Sequence, residues 1–129
     1  MQKIINIANK EVACSCNALT PLLYTEIFGK DFLKSVMSLN KYKNAKVTED
    51  NAEENVEIIQ KTMMFSEMTF VMNKQAELKN AADLVKLSKV DYYNWLSDFP
   101  QGAFGVDVMT EVLSLWQGQT TQHVESKNA

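Results

Sequence analysis

Residues 53–79, EENVEIIQKTMMFSEMTFVMNKQAELK, form the longest stretch of the chain that has helical periodicity and contains neither Pro nor Gly. On a helical wheel its apolar side chains fall into two stripes, whereas a surface helix needs only one. One stripe comprises Val56, Ile59, Met63, Phe70 and Val71, with Met64 at its edge, and the other comprises Ile58, Phe65, Met68 and Met72. The pattern predicts a central helix that either packs on two sides or packs on one and offers the other to a partner.

Length, composition and charge indicate one ordinary globular domain. The chain has 129 residues, of which 46% are hydrophobic and 22% charged, as is usual for a single domain. Its net charge is -3, and all thirteen basic residues are Lys. Because Arg supplies the bidentate contacts to phosphate and guanine, its absence argues against nucleic-acid binding. We also expect no membrane span, since no apolar run reaches about 18 residues.

The segments before the central helix predict a hairpin and two short helices. Residues 3–7 and 11–17 read as two strands joined at residues 8–10, and such a hairpin needs helices to lie on. A first helix should begin with Thr20 as N-cap and end at Gly29. A second, over residues 31–42, should bury one stripe. The side chains expected to point inward from these helices are Leu22, Leu23, Ile27, Phe32, Leu33, Val36 and Met37.

The segments after the central helix predict a short helical turn and two further helices. Ser88 and Asp91 match a capping box, and Pro100 should end the helix that they open. The last helix, over residues 106–116, should bury Met109, Val112, Leu113 and Trp116. The fold class expected is mainly α (α+β), with a small N-terminal β-hairpin and about five helices packed around a long central helix. Residues 1–117 would form this single domain and residues 118–129 a flexible polar tail.

No pattern in the sequence points to catalysis, a cofactor or a metal. The one His, His123, falls in the predicted tail, and Cys14 and Cys16 lack the second pair of ligands that structural zinc needs. We expect both cysteines to be reduced thiols that pack as small apolar groups. A thiol enzyme that uses either of them would lack a base. We therefore expect no catalytic, cofactor-binding or metal-binding residues.

Several stretches, taken in order, resemble one family. They are residues 19–39, LTPLLYTEIFGKDFLKSVMSL; residues 70–76, FVMNKQA; residues 95–99, WLSDF; and Leu115-Trp116 followed by Thr120-Thr121. Together they resemble the tail assembly chaperones of long-tailed, siphovirus-type phages that infect Gram-positive bacteria. The resemblance covers most of the chain and rests on the arrangement of these stretches.

The resemblance implies a non-catalytic role in the host cytoplasm. Such proteins bind the phage tape-measure protein and keep it soluble while the tail tube assembles around it. They are commonly made in a short form and a longer form, the latter by translational frameshifting. The partners implied are therefore the tape-measure protein, with the tail tube protein and the chain's own long form as further candidates, and we expect a homo-oligomer.

The second stripe of the central helix is the candidate partner-binding surface. We hypothesise that Ile58, Phe65, Met68 and Met72 face outward, since Met-rich helices often serve as adaptable binding surfaces. The alternative for these residues is plain burial in the core. The alternative function is that of a small helical regulator or adaptor, antitoxin-like or anti-repressor-like, that binds one folded protein.

Overall fold

The computed structural model describes residues 2–40, 52–105 and 107–117, with side-chain positions for these residues other than 38–40 and 52–63. The expected fold class is confirmed, because within these residues an antiparallel hairpin is followed by six helices, one of them a single turn. The elements in chain order are β1 Gln2–Ile7, β2 Lys10–Ser15, α1 Leu19–Phe28, α2 Phe32–Asn40, α3 Ala52–Leu78, α4 Ala81–Leu84, α5 Lys89–Leu96 and α6, residues 107–117. The predicted tail, residues 118–129, lies outside the described residues.

The N-terminal hairpin turns over two residues, one fewer than expected. Ala8 and Asn9 have φ of 51° and 67°, which is the left-handed pair that matches the twist of the strands. Lys10 therefore already belongs to β2, where it pairs with Ile7. The inward face consists of Ile5, Ile7, Val12 and Cys14. This face packs on the helices, with β2 running along α3, so the expectation that helices support the hairpin is confirmed.

The second half of α3 is buried on both of its apolar stripes. Phe70 of the first stripe contacts Phe28 of α1, with ring centroids 6.4 Å apart. Phe65 of the second stripe contacts Phe104, which follows α5, at 5.7 Å. The structure therefore selects the helix packed on two sides for this half of α3, and the chain itself covers both stripes.

The expected outward stripe is wrong at the three positions whose side chains are described. Phe65 and Met68 are fully buried and Met72 is 1% exposed. At Phe65 the cover comes from Phe104 in the segment after α5, and burial of such apolar side chains away from water is favourable. The side chain of the fourth member, Ile58, lies outside the described residues. In this structure the three described members of the stripe present no surface to a partner.

The corner between β2 and α1 differs from the expected cap. Helix α1 begins at Leu19 after Ala18, and the N-cap side chain makes no capping bond. Thr20 is buried within the first turn, and its Oγ1 accepts the backbone N–H of Asn17 at 3.0 Å. At the other end the prediction is confirmed, since Gly29 has φ 67° and its N–H bonds to the carbonyl of Thr25.

Helix α2 buries only half of its expected stripe. Phe32 and Val36 are buried, and the Phe32 ring lies 5.5 Å from Tyr24. Leu33 and Met37 are 60% and 70% exposed. Residues i and i+1 differ by about 100° around a helix, so one contact with α1 and α3 covers the first pair and leaves the second in water. Leu22 on α1 is likewise exposed, contrary to expectation.

The later helices follow the sequence closely. Ser88 and Asp91 form the expected capping box. Helix α5 ends at Leu96, earlier than the end at Pro100 that the sequence predicted. On α6, Met109, Val112 and Leu113 are buried, while Trp116 is half-buried. Within the described residues no helix is both long and apolar enough to cross a membrane.

We expect Gly29→Ala to lower the free energy of unfolding by about 1 kcal/mol, because an L-residue resists the left-handed conformation. An added Cβ would meet no atom within 4 Å, so the cost arises from the backbone alone. Urea denaturation measures it. The matched control is Gly105→Ala, where φ is not left-handed and the space is also open. Equal losses in both variants would contradict this explanation.

Candidate functional site

A single buried amide joins three elements at the centre of the described structure. The Asn73 Nδ2 group on α3 donates to the carbonyl of Ala13 in β2 at 2.8 Å. Its Oδ1 accepts the indole N–H of Trp95 on α5 at 2.9 Å. Asn73 is 5% exposed, and buried hydrogen bonds of this kind depend on both partners being present. The amide therefore sets how the hairpin and α5 sit on α3.

A second buried polar group lies where β2 leads into α1. Gln75 Nε2 on α3 donates to Asn17 Oδ1 at 2.9 Å, and the Thr20 hydroxyl donates to Gln75 Oε1. Asn17 Oδ1 also accepts the backbone N–H of Leu19 at 2.9 Å. The sequence analysis did not predict this group. The feature that could have revealed it is the pair of polar residues, Asn73 and Gln75, within an apolar stretch of helix.

An aromatic cluster fills the space between α3 and α5. Phe70 meets Tyr92 and Trp95 edge-on, each with ring centroids 5.5 Å apart. Trp95 also lies 4.9 Å from Phe99 and 5.7 Å from Phe104. Edge-to-face pairs of this kind add roughly 0.5–1.5 kcal/mol each beyond burial. The cluster gives α5 a rigid base, so the outer surface of α5 is held in a defined position.

The two cysteines are buried thiols that form no disulfide, as expected. Burial raises the pKa of Cys14 from 9.0 to about 12, and it also raises the pKa of Cys16. The Cys16 Sγ donates to the carbonyl of Leu115 at 3.7 Å. Because the thiolate is the nucleophile, neither sulfur is poised for covalent chemistry near neutral pH.

Within residues 2–40, 52–105 and 107–117, no group of three or more His, Cys, Asp and Glu side chains could hold a metal ion. His123 lies outside these ranges.

An open groove runs between the C-terminal half of α3 and α5. Its volume is about 380 Å³. The apolar lining consists of Leu78, Leu87 and Trp95, and the polar lining consists of Lys74, Asp91, Asn94 and Asp98. The α3–α5 groove combines an aromatic floor with charged edges, a composition suited to binding another protein surface.

Two helices also carry exposed apolar pairs. We call Leu33 and Met37 of α2 the α2 ridge, and Val90 and Tyr93 of α5 the α5 face. Val90 is 63% and Tyr93 59% exposed, and Val85 just before α5 is exposed as well. Each pair is spaced three or four residues apart, so its members are neighbours on one side of their helix. The ridge, the face and the groove are the candidate contact surfaces of the described chain.

The chain matches no family model, no curated protein and no solved structure.

We expect Asn73→Ala to destabilise the fold by about 2–4 kcal/mol, because it leaves the Trp95 N–H and the Ala13 carbonyl without partners. Urea denaturation followed by Trp fluorescence measures the change. The control is Asn94→Ala on the exposed side of α5, which should alter stability by less than about 0.5 kcal/mol. A similar small effect at Asn73 would show that the amide does not hold these elements together.

We expect both thiols to be protected in the folded chain, and we expect the free energy of unfolding to fall at high pH. The Cys14 pKa is higher in the folded chain than its ordinary value of 9.0. The contribution of the buried neutral thiol to the free energy of unfolding is therefore fully present below pH 9 and is lost as the pH rises toward 12. A disulfide reagent such as DTNB should react slowly with the native chain and quickly after denaturation. In Cys14→Ala the loss of stability above pH 9 should be smaller. Fast native reaction would contradict the burial of these thiols.

Proposed function

We propose that this protein is a non-catalytic tail assembly chaperone of a long-tailed phage, which binds the tape-measure protein and keeps it soluble while the tail tube forms. The proposal combines the resemblance of residues 19–39, 70–76 and 95–99 with the surfaces described above. Its partners are the tape-measure protein first, then the tail tube protein and a frameshifted long form of the chain.

The observation that carries the proposal is the α5 face. Val90 and Tyr93 leave large apolar area in water on one side of a helix, and a long apolar helix needs a partner of this kind to stay soluble. Tyr combines an apolar ring with a polar hydroxyl, so it tolerates both water and a bound chain. The α5 face is therefore the surface on which we place the tape-measure segment.

The packing beneath the α5 face suits a binding platform. Tyr92, next to Tyr93, is buried, and its hydroxyl lies 2.7 Å from the Ser66 hydroxyl on α3. Trp95 is held by Asn73. A helix fixed from below loses little conformational freedom when its outer face binds, so less of the binding energy is spent on ordering it.

The non-catalytic part of the proposal is supported by the state of the thiols. Cys14 and Cys16 are the strongest nucleophile types in the chain, and burial raises the pKa of both. The buried face of the hairpin uses them as packing groups, which agrees with a role in structure.

The test is coexpression of the chain with the tape-measure protein encoded by the same phage. The wild-type chain should raise the soluble fraction of that protein and copurify with it. The double variant Val90→Ser/Tyr93→Ser should weaken copurification by roughly tenfold or more, since it removes two large apolar contacts. Its thermal unfolding should match the wild type, because both side chains are exposed.

The matched control is Leu22→Ser, which removes an exposed apolar side chain from α1 and should leave copurification unchanged. A tape-measure protein that stays insoluble with the wild-type chain would overturn the proposal. A stable complex with one folded host or phage protein in its place would favour the adaptor alternative.

A further inference from the structure

The α2 ridge is an apolar pair with a cation beside it. Leu33 and Met37 are one helical turn apart, about 6 Å along the axis, and most of each side chain is in water. Lys34 is exposed and lies three residues before Met37, so the two are neighbours. The carboxylate of Asp31 is directed to the start of the helix, where its Oδ1 accepts the Lys34 backbone N–H at 3.0 Å.

The α3–α5 groove has the opposite charge along one edge. Asp91 and Asp98 are seven residues apart on or just after α5, which corresponds to about 10 Å along a helix. Between them the Trp95 ring forms part of the apolar floor, with Leu78 and Leu87. Asp91 closes the capping box but still contributes its negative charge to this edge.

Two cations at the groove, Lys74 and Lys10, contact other groups. Lys74 lies 3.8 Å from the Glu77 carboxylate. Lys10 of the hairpin donates to the backbone carbonyl of Asp98 at 2.6 Å and lies 5.0 Å over the Phe99 ring. Among the residues that line the groove, the two carboxylates of Asp91 and Asp98 outnumber the one cation, Lys74. The groove therefore favours an apolar insert that brings its own positive charge.

We propose that a second copy of this chain is the occupant, and that it docks its α2 ridge into the α3–α5 groove. Leu33 and Met37 of one copy pack on Leu78, Leu87 and Trp95 of the next, and Lys34 lies between the carboxylates of Asp91 and Asp98. The α2 ridge fits because it pairs exposed apolar side chains with an exposed cation in the arrangement that the groove complements.

The resulting contact is heterologous, because it joins two different surfaces. Each copy in such a pair keeps one free ridge and one free groove, so association continues until a ring closes or a filament forms. The α5 face is not among the residues that line the groove, although Val90 lies one helical turn from the lining residue Asn94. An array of copies would repeat that face at a fixed interval along an extended helical partner, a consequence that rests on the proposed function.

The test uses the purified full-length chain and two variants of exposed residues. The ridge variant is Leu33→Ser/Met37→Ser, and the groove variant is Asp98→Lys. Sedimentation velocity from low micromolar to millimolar concentration should show the wild type growing beyond a dimer. Each variant alone should raise the dissociation constant by roughly tenfold or more and so remain monomeric where the wild type associates. Added salt should weaken the wild-type contact.

Mixing the two variants provides the decisive measurement. The ridge variant keeps an intact groove and the groove variant keeps an intact ridge, so an equimolar mixture should form 1:1 dimers that grow no further. In addition, Lys34→Asp combined with Asp98→Lys should restore association, because the charges are exchanged within one interface. Circular dichroism during heating checks that every variant is folded.

Leu22→Ser is the control and should associate like the wild type. A wild-type chain that stays monomeric, a ridge variant that associates normally, or a mixture that stays monomeric would each overturn the inference. These outcomes are separate from the chaperone test. Loss of self-association with tape-measure binding intact contradicts only the docking of copies, whereas Val90→Ser/Tyr93→Ser should lose tape-measure binding and keep self-association.

Discussion

The amide of Asn73 is the constraint on which much of the described structure depends. One side chain on α3 bonds to the backbone of the hairpin and to the indole of Trp95, so it relates two elements that are distant in sequence. Apolar packing alone is tolerant of small sliding motions, because it has little directional preference. A buried amide with two partners has a defined geometry, and misplacing either partner leaves a polar group without a hydrogen bond. Within the described residues, no buried side-chain nitrogen or oxygen lacks such a partner.

This arrangement explains why both apolar stripes are buried in the second half of α3. The hairpin, α1 and the segment around α5 surround residues 65–76, so the methionines there fill the core. Their flexible side chains suit the irregular space between a twisted hairpin and several short helices. Exposed apolar surface lies instead on short helices at the periphery, where the core covers only one side of each helix. The α2 ridge and the α5 face are both products of that geometry.

These surfaces fit a protein whose work is contact with other chains. The α5 face is apolar and lies above an aromatic cluster, and the proposed docking places the apolar α2 ridge and its cation in the α3–α5 groove. A chaperone of a long helical client needs both a surface for the client and a way to repeat that surface. In the proposals, the client and the second copy contact different side chains of the chain.

The sequence by itself determined the element types and several of their ends. Gly29, the Ser88–Asp91 capping box and the alternation in the hairpin act through local backbone geometry, which neighbouring residues specify. It also determined that both stripes of α3 need cover. Only the tertiary structure decided which residues cover them, because Phe104 and Trp95 are distant in sequence and pack against α3 only in the folded chain. The same holds for Leu33 and Met37. The sequence shows that these residues are apolar, and the periodicity places them on one face of α2. The neighbouring elements decide whether that face contacts protein or water.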